Sequence, residues 1–570
     1  MVAQIADSRG KPRAGCRMAM TRAGTNTAPK PLTGRAAPYQ DFSTRQIAYT
    51  GCGCAGGQVT TFTDEIQRVQ KSYADFLGRT FKAEIWNGAA VYSTNTTTFN
   101  VRDQATQIQE LANASGATQN TTLSYDGFGR LWKSRKPIET ADNTYLYFDD
   151  DKIQTKTDAR GASANYGYNN RGLLASVSYA AGSSGATATN SVTFEYNELG
   201  QRTKMDDGPG VVDYVYNSLG RMTSETRTFD MAGAPTTPFV ITYGDYNLAG
   251  QVKNIKDPFD DEVNYSYDKT GRLATMTGAT SFAGLAGYPY LSSASYRAFN
   301  AIKDGRTYDT RMRVSSYSGF GGINYQYNNA SQLTTATMSG SEPYTQSFSY
   351  DPAGRLTGVT TPDISAPSQY ITTTTNPYNG LPSGFHLKPF DASLTYDGFG
   401  NMTSRSSRYW SGWSASGNPN QTFATTYENG RAKKDGVAGR TTTNGTNQTW
   451  TYNNSGAIVN DGGTTQQYDV AGQLTRTQNI VDPNTYSNHT HDSDGRQIKF
   501  EQRLENAYYS GVYEVVTRYR IYSSVTGRML TEIDAAGQKM KTNFPLIKGS
   551  LHPVVARIQA RTNDSAFPGW

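Results

Sequence analysis

The sequence predicts an all-β protein made of repeated hairpins that join into one long, spiralling antiparallel sheet, part or all of a hollow cage or barrel. Three observations carry this expectation. A short pattern recurs along the chain: Tyr, then Asp or Asn, two variable residues, Gly, Arg or Gln, and an aliphatic, as in Tyr125-Asp126-Gly127-Phe128-Gly129-Arg130-Leu131. Many copies stand 20 to 23 residues apart, the room taken by two strands of about 7 residues and two turns. The composition, 36% hydrophobic with 39 Tyr and 56 Gly among 570 residues, favours many short aromatic-rich strands over a compact aliphatic core.

The residue types of the repeat are those of a turn between strands. An Asp or Asn side chain accepts a hydrogen bond from the backbone two residues on, and a Gly three residues later takes the positive φ that closes a hairpin. Tyr enters the turn and the aliphatic leaves it, so both are expected on a sheet face, with Arg or Gln pointing the other way. After Leu356 the run Thr357-Gly358-Val359-Thr360-Thr361 has the β-branched character of a returning strand. The candidate structural positions are Tyr125, Asp126 and Gly129; Tyr168, Asn169 and Gly172; Tyr196, Asn197 and Gly200; Tyr216, Asn217 and Gly220; and Tyr246, Asn247 and Gly250. Further copies supply Tyr267, Asp268 and Gly271; Tyr350, Asp351 and Gly354; Tyr396, Asp397 and Gly400; and Tyr468, Asp469 and Gly472. A lone hairpin cannot bury its apolar face, so neighbours must pair edge to edge. The resulting sheet must twist, and curling protects its edges.

Taken in order, residues 1–50 read as a flexible basic arm, holding eight Lys or Arg against two Asp. Gly51-Cys52-Gly53-Cys54-Ala55-Gly56 satisfies G-x-G-x-x-G, but a strand pattern, Gln58 to Thr63, follows where a dinucleotide site needs a helix. Residues 51–120 read as degenerate leading repeats, with Thr106 to Asn113 as an isolated short helix. The repeat shell is expected over 121–535, with Ala180–Asn190 and Arg405–Gln421 as Gly- and Ser-rich loops. Residues 536–570 read as a poorly ordered basic tail, with five basic residues against one acidic.

The net charge of +6 therefore resides in the two ends, leaving a slightly acidic body and disfavouring a nucleic-acid partner. Three cysteines cannot make a disulfide framework for a chain of this length. No apolar run approaches the ~20 residues of a membrane-spanning helix, and the first residues lack the apolar core of a signal peptide.

Candidate chemistry is sparse. His489-Thr490-His491-Asp492-Ser493-Asp494 offers two His and two Asp, yet it is also a copy of the repeat with His replacing Tyr. The acidic runs Asp149–Asp151 and Asp257–Glu262 lack the ligand spacing of a calcium loop and read as solvated turns. Tyr409, Trp410 and Trp413 offer a stacking cluster for sugars or, more commonly, sheet packing. The H-E-x-x-H, P-loop and nucleophile-elbow motifs are absent. No catalytic, cofactor or metal residue is assigned.

On these residues the chain resembles the Rhs, or YD-repeat, family, over roughly residues 60 to 535. The resemblance rests on at least eight good copies of the Tyr-Asp/Asn motif and on Thr157-Asp158-Ala159-Arg160-Gly161 and Tyr168-Asn169-Asn170-Arg171-Gly172-Leu173-Leu174. It implies a strip spiralling into a hollow container, as in bacterial Rhs toxins, the C component of insecticidal toxin complexes and teneurins. The expected function is a non-enzymatic shell or scaffold, secreted or at the cell surface, for encapsulation, delivery or intercellular interaction. Its expected partners are a protein, a glycan or an enclosed polypeptide supplied by another segment. A carbohydrate-binding adhesin is one alternative. Another is the N-terminal part of a polymorphic toxin whose catalytic domain lies elsewhere, since the family's conserved core, which joins Asp-Pro-x-Gly and Arg-Tyr-Asp-Pro signatures, has no clear copy and no C-terminal globular domain is evident.

Overall fold

The computed structural model describes residues 45–51, 57–112, 116, 118–279, 304–318, 322–339, 344–360, 390–409, 420–424, 450–506, 509–545 and 554–559, and four strand pieces between 374 and 433. Among these residues every regular element is a strand. A sheet of 29 strands runs from Gln46–Thr50 to Asn420–Ala424, and a sheet of 10 runs from Thr451–Tyr452 to Val554–Gln559. The pairing registers place each strand antiparallel to its predecessor in the sheet, as in Thr118–Tyr125 against Leu131–Arg135 and Ser163–Tyr168 against Leu174–Ala180. This is a meander without crossovers.

Because strands alternate in direction, the connections alternate between two edges. The turns that follow the repeat Tyr all fall on one, here called the turn edge. The remaining connections form the loop edge. On the turn edge the local geometry follows from the residue types. The Asp126 N–H donates to the Arg130 carbonyl at 2.9 Å, and the Gly129 N–H donates to the Asp126 carbonyl at 3.0 Å. Asp126 Oδ1 accepts from the N–H groups of Phe128 and Arg130, both at 2.9 Å. Gly129 sits at φ 88°, where a Cβ is strained. Six copies of this turn carry another residue in the Gly slot, at φ between 62° and 70°: Gln67, Asp103, Asp151, Asp260, Met312 and Ser331. Gly129→Val is therefore expected to cost roughly 1–3 kcal/mol, the range for a strained backbone position, and more than Gly129→Asn. Comparing urea midpoints tests this; equal midpoints for Val and Asn would contradict it.

The strip comes back to meet itself. Gly354 of a turn-edge turn lies against Arg68 on the loop edge, and a Cβ on Gly398 would overlap the Ala112 backbone. The Asn454 carbonyl accepts from the Thr140 N–H at 2.9 Å, and Gly456 lies on Ile138. Arg160 donates to the carbonyls of Asp469 and Val470, at 3.0 and 3.1 Å, while Thr187 and Asp469 form a parallel bridge. Both partners advance together along the chain, with sequence separations of 259 for Tyr92 to Asp351 and 314 for Thr140 to Asn454. A strip that touches itself this way is a spiral of two layers, with the turn edge of the later layer seated on the loop edge of the earlier one. Between Arg68 and Gly354 it counts 23 strands, and between Ala112 and Gly398 it counts 21, among the described residues.

Past Asp492 the second layer leaves that seam and lies face to face on the first. Phe229, Phe239, Ile241, Tyr243, Val252, Ile255, Val263, Tyr265, Leu273 and Met276 pack there with Ile498, Tyr519, Ile521, Leu530 and Ile533. Strand alternation is cleanest in this region, as in Gly210–Tyr216 and Phe239–Tyr246. Elsewhere most strand residues are half-buried, as on a wall one sheet thick.

Several expectations need correction. Residues 105–111 form a strand, Ala105–Leu111, paired on both sides, because a lone short helix has nothing to pack on whereas the sheet supplies two partners. The boundary drawn at 535 falls inside a turn, Asp534 to Gln538, and the sheet continues through Lys539–Pro545 and Val554–Gln559. Gln46–Thr50, placed in the basic arm, pairs with Gln58–Thr63. Residues 1–44 and 560–570 lie outside the described residues.

Candidate functional site

The row of repeat turns is the most regular chemical feature of the molecule, and each side chain in it has a traceable task. The Tyr hydroxyl donates to the backbone carbonyl of the strand that leaves the preceding turn. Tyr125 reaches the Ala105 carbonyl at 2.8 Å, Tyr168 that of Ile153 at 3.1 Å, Tyr196 that of Leu174 at 2.7 Å and Tyr216 that of Arg202 at 2.9 Å. Tyr246 reaches Met222, Tyr267 Val252, Tyr350 Leu333, Tyr396 Leu356 and Tyr468 Ile458 in the same way. A hydroxyl at the far end of a flat ring thus ties one hairpin to the next, which phenylalanine cannot do.

The Arg or Gln next to last in the motif was expected to point away from the Tyr face; it folds back on its own turn instead. Arg130 Nε bonds Asp126 Oδ2 at 2.8 Å, and the same clamp joins Arg272 to Asp268, Arg313 to Asp309 and Arg355 to Asp351. In several turns opened by Asn, Gln takes the place of Arg: Asn197 Nδ2 donates to Gln201 Oε1 at 3.0 Å and Asn247 Nδ2 to Gln251 Oε1 at 2.8 Å. The same side chain then reaches the next turn. Gln201 Nε2 donates to the Gly220 carbonyl and Gln251 Nε2 to that of Gly271. The Arg130, Arg272 and Arg355 guanidiniums lie 4.4 to 4.7 Å from the ring centroids of Tyr147, Tyr308 and Tyr396. Asn169, Gly172 and Leu173 close their turn through the backbone and Asn169 Oδ1, and Asn217, Gly220 and Arg221 do likewise. Asp397 is clamped by Asn401 Nδ2, and Gly400 closes that turn. Around Asp126, burial pushes the carboxyl up, but the Arg130 guanidinium and the turn N–H groups outweigh it and hold the group below its ordinary range.

Ionisable groups gather where the two layers meet. Glu225 is buried, accepts from the Tyr243 hydroxyl and from the Ser524 N–H at 2.7 Å, and is pushed upward by burial. Asp207 and Arg227 make a bidentate pair at 2.8 and 3.1 Å. A cavity of about 20 Å³, the size of one or two waters, lies among Met205, Glu225, Arg227, Asp492, Arg496 and Arg520. Burial pushes the Asp492 carboxyl up to about 6, against the opposing pull of Arg496, with Asp494 and Asp207 adding to the rise. A carboxyl that binds its proton more tightly folded than unfolded contributes stability that is full below about 4 and lost as pH rises through about 6. Asp492→Asn keeps the turn-capping oxygen that accepts from the Asp494 and Arg496 N–H groups. Relative to wild type, Asp492→Asn is expected to gain up to roughly 2–3 kcal/mol at pH 7–8 and little at pH 4. Urea titrations across that range check it; a pH-independent difference would contradict it.

The other sequence candidates fall in several places. His489 is held by Ser487 Oγ and Gln497 and stacks against Phe500; His491 is half-buried and burial pushes both rings down. No group of three metal-ligating side chains occurs among the described residues. Asp149 to Asp151 form an exposed turn, with Asp151 near Arg130. The second acidic run is not solvated as expected. Asp257 and Asp261 are buried against Lys539, with Asp257 Oδ2 accepting from Thr542 Oγ1, because the second sheet covers them. Gly51 lies between two paired strands and no helix follows Gln58–Thr63, so the dinucleotide context is missing. Cys52, Cys54, Trp410 and Trp413 lie outside the described residues.

No protein family's sequence profile matches the chain, and no curated protein does. Solved structures do. The crystal structure described as TcdB2-TccC3 superposes with a TM-score of 0.54 at 11% identity, over 90% of this chain and 32% of its own. TcdB2-TccC3 without its hypervariable C-terminal region gives 0.54 at 12% identity, over 91% and 30%. The Photorhabdus luminescens Tc holotoxin pore gives 0.51 at 12%, over 88% and 32%. The chain thus shares its fold with these structures and spans about a third of the length of those chains.

Proposed function

We propose that this chain is a non-enzymatic shell segment whose coiled strip encloses a polypeptide for delivery, outside the cell or at its surface. The observation that carries the reading is the return of the strip on itself after 21 to 23 strands. At ~4.8 Å per strand that loop measures roughly 100–110 Å around, or about 32–35 Å across. Removing ~5 Å of side chain from each wall leaves a width of roughly 22–25 Å, which admits an extended or loosely folded chain. The similarity to TcdB2-TccC3 supports a toxin-complex-related scaffold. Coverage of a third of those chains favours, as a form of the same reading, a front part whose cargo domain lies elsewhere. A glycan-binding adhesin has less support, since the abundant Tyr rings are tied hydroxyl-first to neighbouring strands.

The test is protection. A short unfolded reporter fused after Gln559 is expected to resist added protease, while the same reporter fused before Gln46 is cut rapidly. Equal cutting of both would contradict enclosure.

A further inference from the structure

The loop-edge turn Asp257-Pro258-Phe259-Asp260-Asp261 has the backbone of the repeat turn. The Asp257 N–H donates to the Asp261 carbonyl at 2.8 Å, and Asp257 Oδ1 accepts from the N–H groups of Phe259 and Asp261 at 2.8 and 2.9 Å. Its clamp is missing. In the loop-edge turn at Asp64 the fifth residue is Arg68, whose Nε bonds Asp64 Oδ2 at 2.6 Å; here the fifth residue is a second carboxylate, Asp261. Two carboxylates side by side in a buried turn repel each other unless a cation joins them. The cation comes from the other layer. Lys539, the first residue of Lys539–Pro545, places Nζ 3.0 Å from Asp257 Oδ2 and in contact with Asp261 Oδ2.

The three groups are enclosed as well as paired. Asp257 and Asp261 are 2% and 6% exposed, Thr542 has no exposure, and the Phe259 ring centroid lies 5.6 Å from Lys539 Nζ. Burial pushes the Lys539 amine below its ordinary range, against the opposing pull of Asp257, and a desolvated lysine is an activated nucleophile. Asp257 is held in place, one oxygen on its own turn and the other on the Thr542 hydroxyl and Lys539. Asp261 instead turns its carboxyl to Lys539. A covered site disfavours separated charges, and amine and carboxyl held in contact react as if at very high concentration.

We infer that Lys539 Nζ and Asp261 Cγ join in an amide bond, a covalent staple between the two layers, with Asp257 as the proton relay. The Nζ–Cγ bond forms and one Cγ–O bond of Asp261 breaks. One of the three ammonium protons stays on the amide nitrogen. A second neutralises the Asp261 carboxyl, and the third passes through Asp257 to the departing oxygen, which leaves as water. Nothing is oxidised or reduced, and no further reactant enters. The bond replaces an ion pair with a neutral amide and ties residues 278 apart in sequence. It is independent of any cargo.

The test is mass spectrometry of the full chain under denaturing conditions. Wild type should be lighter than its sequence by one water. Its tryptic digest should hold a branched peptide, uncut at Lys539, that joins the segment containing Asp261 to the segment containing Lys539. Lys539→Arg keeps the cation but cannot form the amide, so it should have its full calculated mass and run more slowly than wild type on a denaturing gel. Asp257→Asn keeps the turn-capping oxygen and should join roughly 100-fold more slowly, the loss expected on removing a proton relay. Wild type at its full calculated mass, with Lys539 cut normally by trypsin, overturns the proposal whatever the variants do. An Asp257→Asn chain that joins as fast as wild type overturns the role given to Asp257.

Discussion

Leu530→Ala is expected to destabilise the chain by about 2–5 kcal/mol, the cost of removing a fully enclosed leucine side chain and leaving part of its cavity. Leu530 has no solvent exposure. It lies in Arg528–Ile533, a strand whose last four residues are all buried, so both of its faces are covered. The buried cluster it belongs to draws on both layers, including Ile241, Ile255 and Met276 from the first and Ile521 from the second. Lost packing there weakens the hold between layers as well as the local strand. Proteolysis of 451–545 should therefore rise along with the fall in the urea midpoint. A loss below about 0.5 kcal/mol, the range of an ordinary surface change, would show that the two sheets do not pack here.

Glu532→Ala is expected to cost about 3–5 kcal/mol, because removing one member of a buried charge cluster leaves its partners uncompensated. Glu532 is buried and lies 3.2 Å from Arg520 Nε, 3.5 Å from Arg518 Nη1 and 3.1 Å from Lys541 Nζ. Three cations on the flanking strands share this carboxylate, so the alanine variant concentrates positive charge in a covered space. Adding Arg520→Met and Lys541→Met should recover much of the loss, since apolar groups of similar volume often replace a buried ion cluster without penalty. Failure of that rescue would place the cost in strand pairing instead of charge.

The architecture was legible because the turn demands particular residues. Asp126 and Gly129 read as turn chemistry from spacing alone, and the period gave hairpins joined edge to edge into long meandering sheets, of which the described residues show two, of 29 and 10 strands. The reason for Tyr at position one was not legible, because its hydrogen-bond partner is a backbone carbonyl of the previous hairpin, and a carbonyl leaves no signature in sequence. The clamp did leave one. Arg accompanies Asp at 126, 268, 309 and 351, while Gln accompanies Asn at 197, 247 and 328, a pairing that acceptor and donor counting explains and that Asn217 with Arg221 and Asp469 with Gln473 depart from. The burial of Asp257 and Asp261 was hidden because Lys539 lies 278 residues from Asp261, and only the layering brings them together. The strand at Ala105–Leu111 was misread for a related reason: a short polar segment takes its form from its neighbours.

The central claim is that the strip coils into a layered wall around an enclosed space. Single-particle imaging of the purified chain tests it most directly. The account predicts a curved wall one sheet thick, roughly 32–35 Å across between backbone centres at 4.8 Å per strand, around a lumen of low density. An open, extended ribbon, or a solid particle with no lumen, would contradict it.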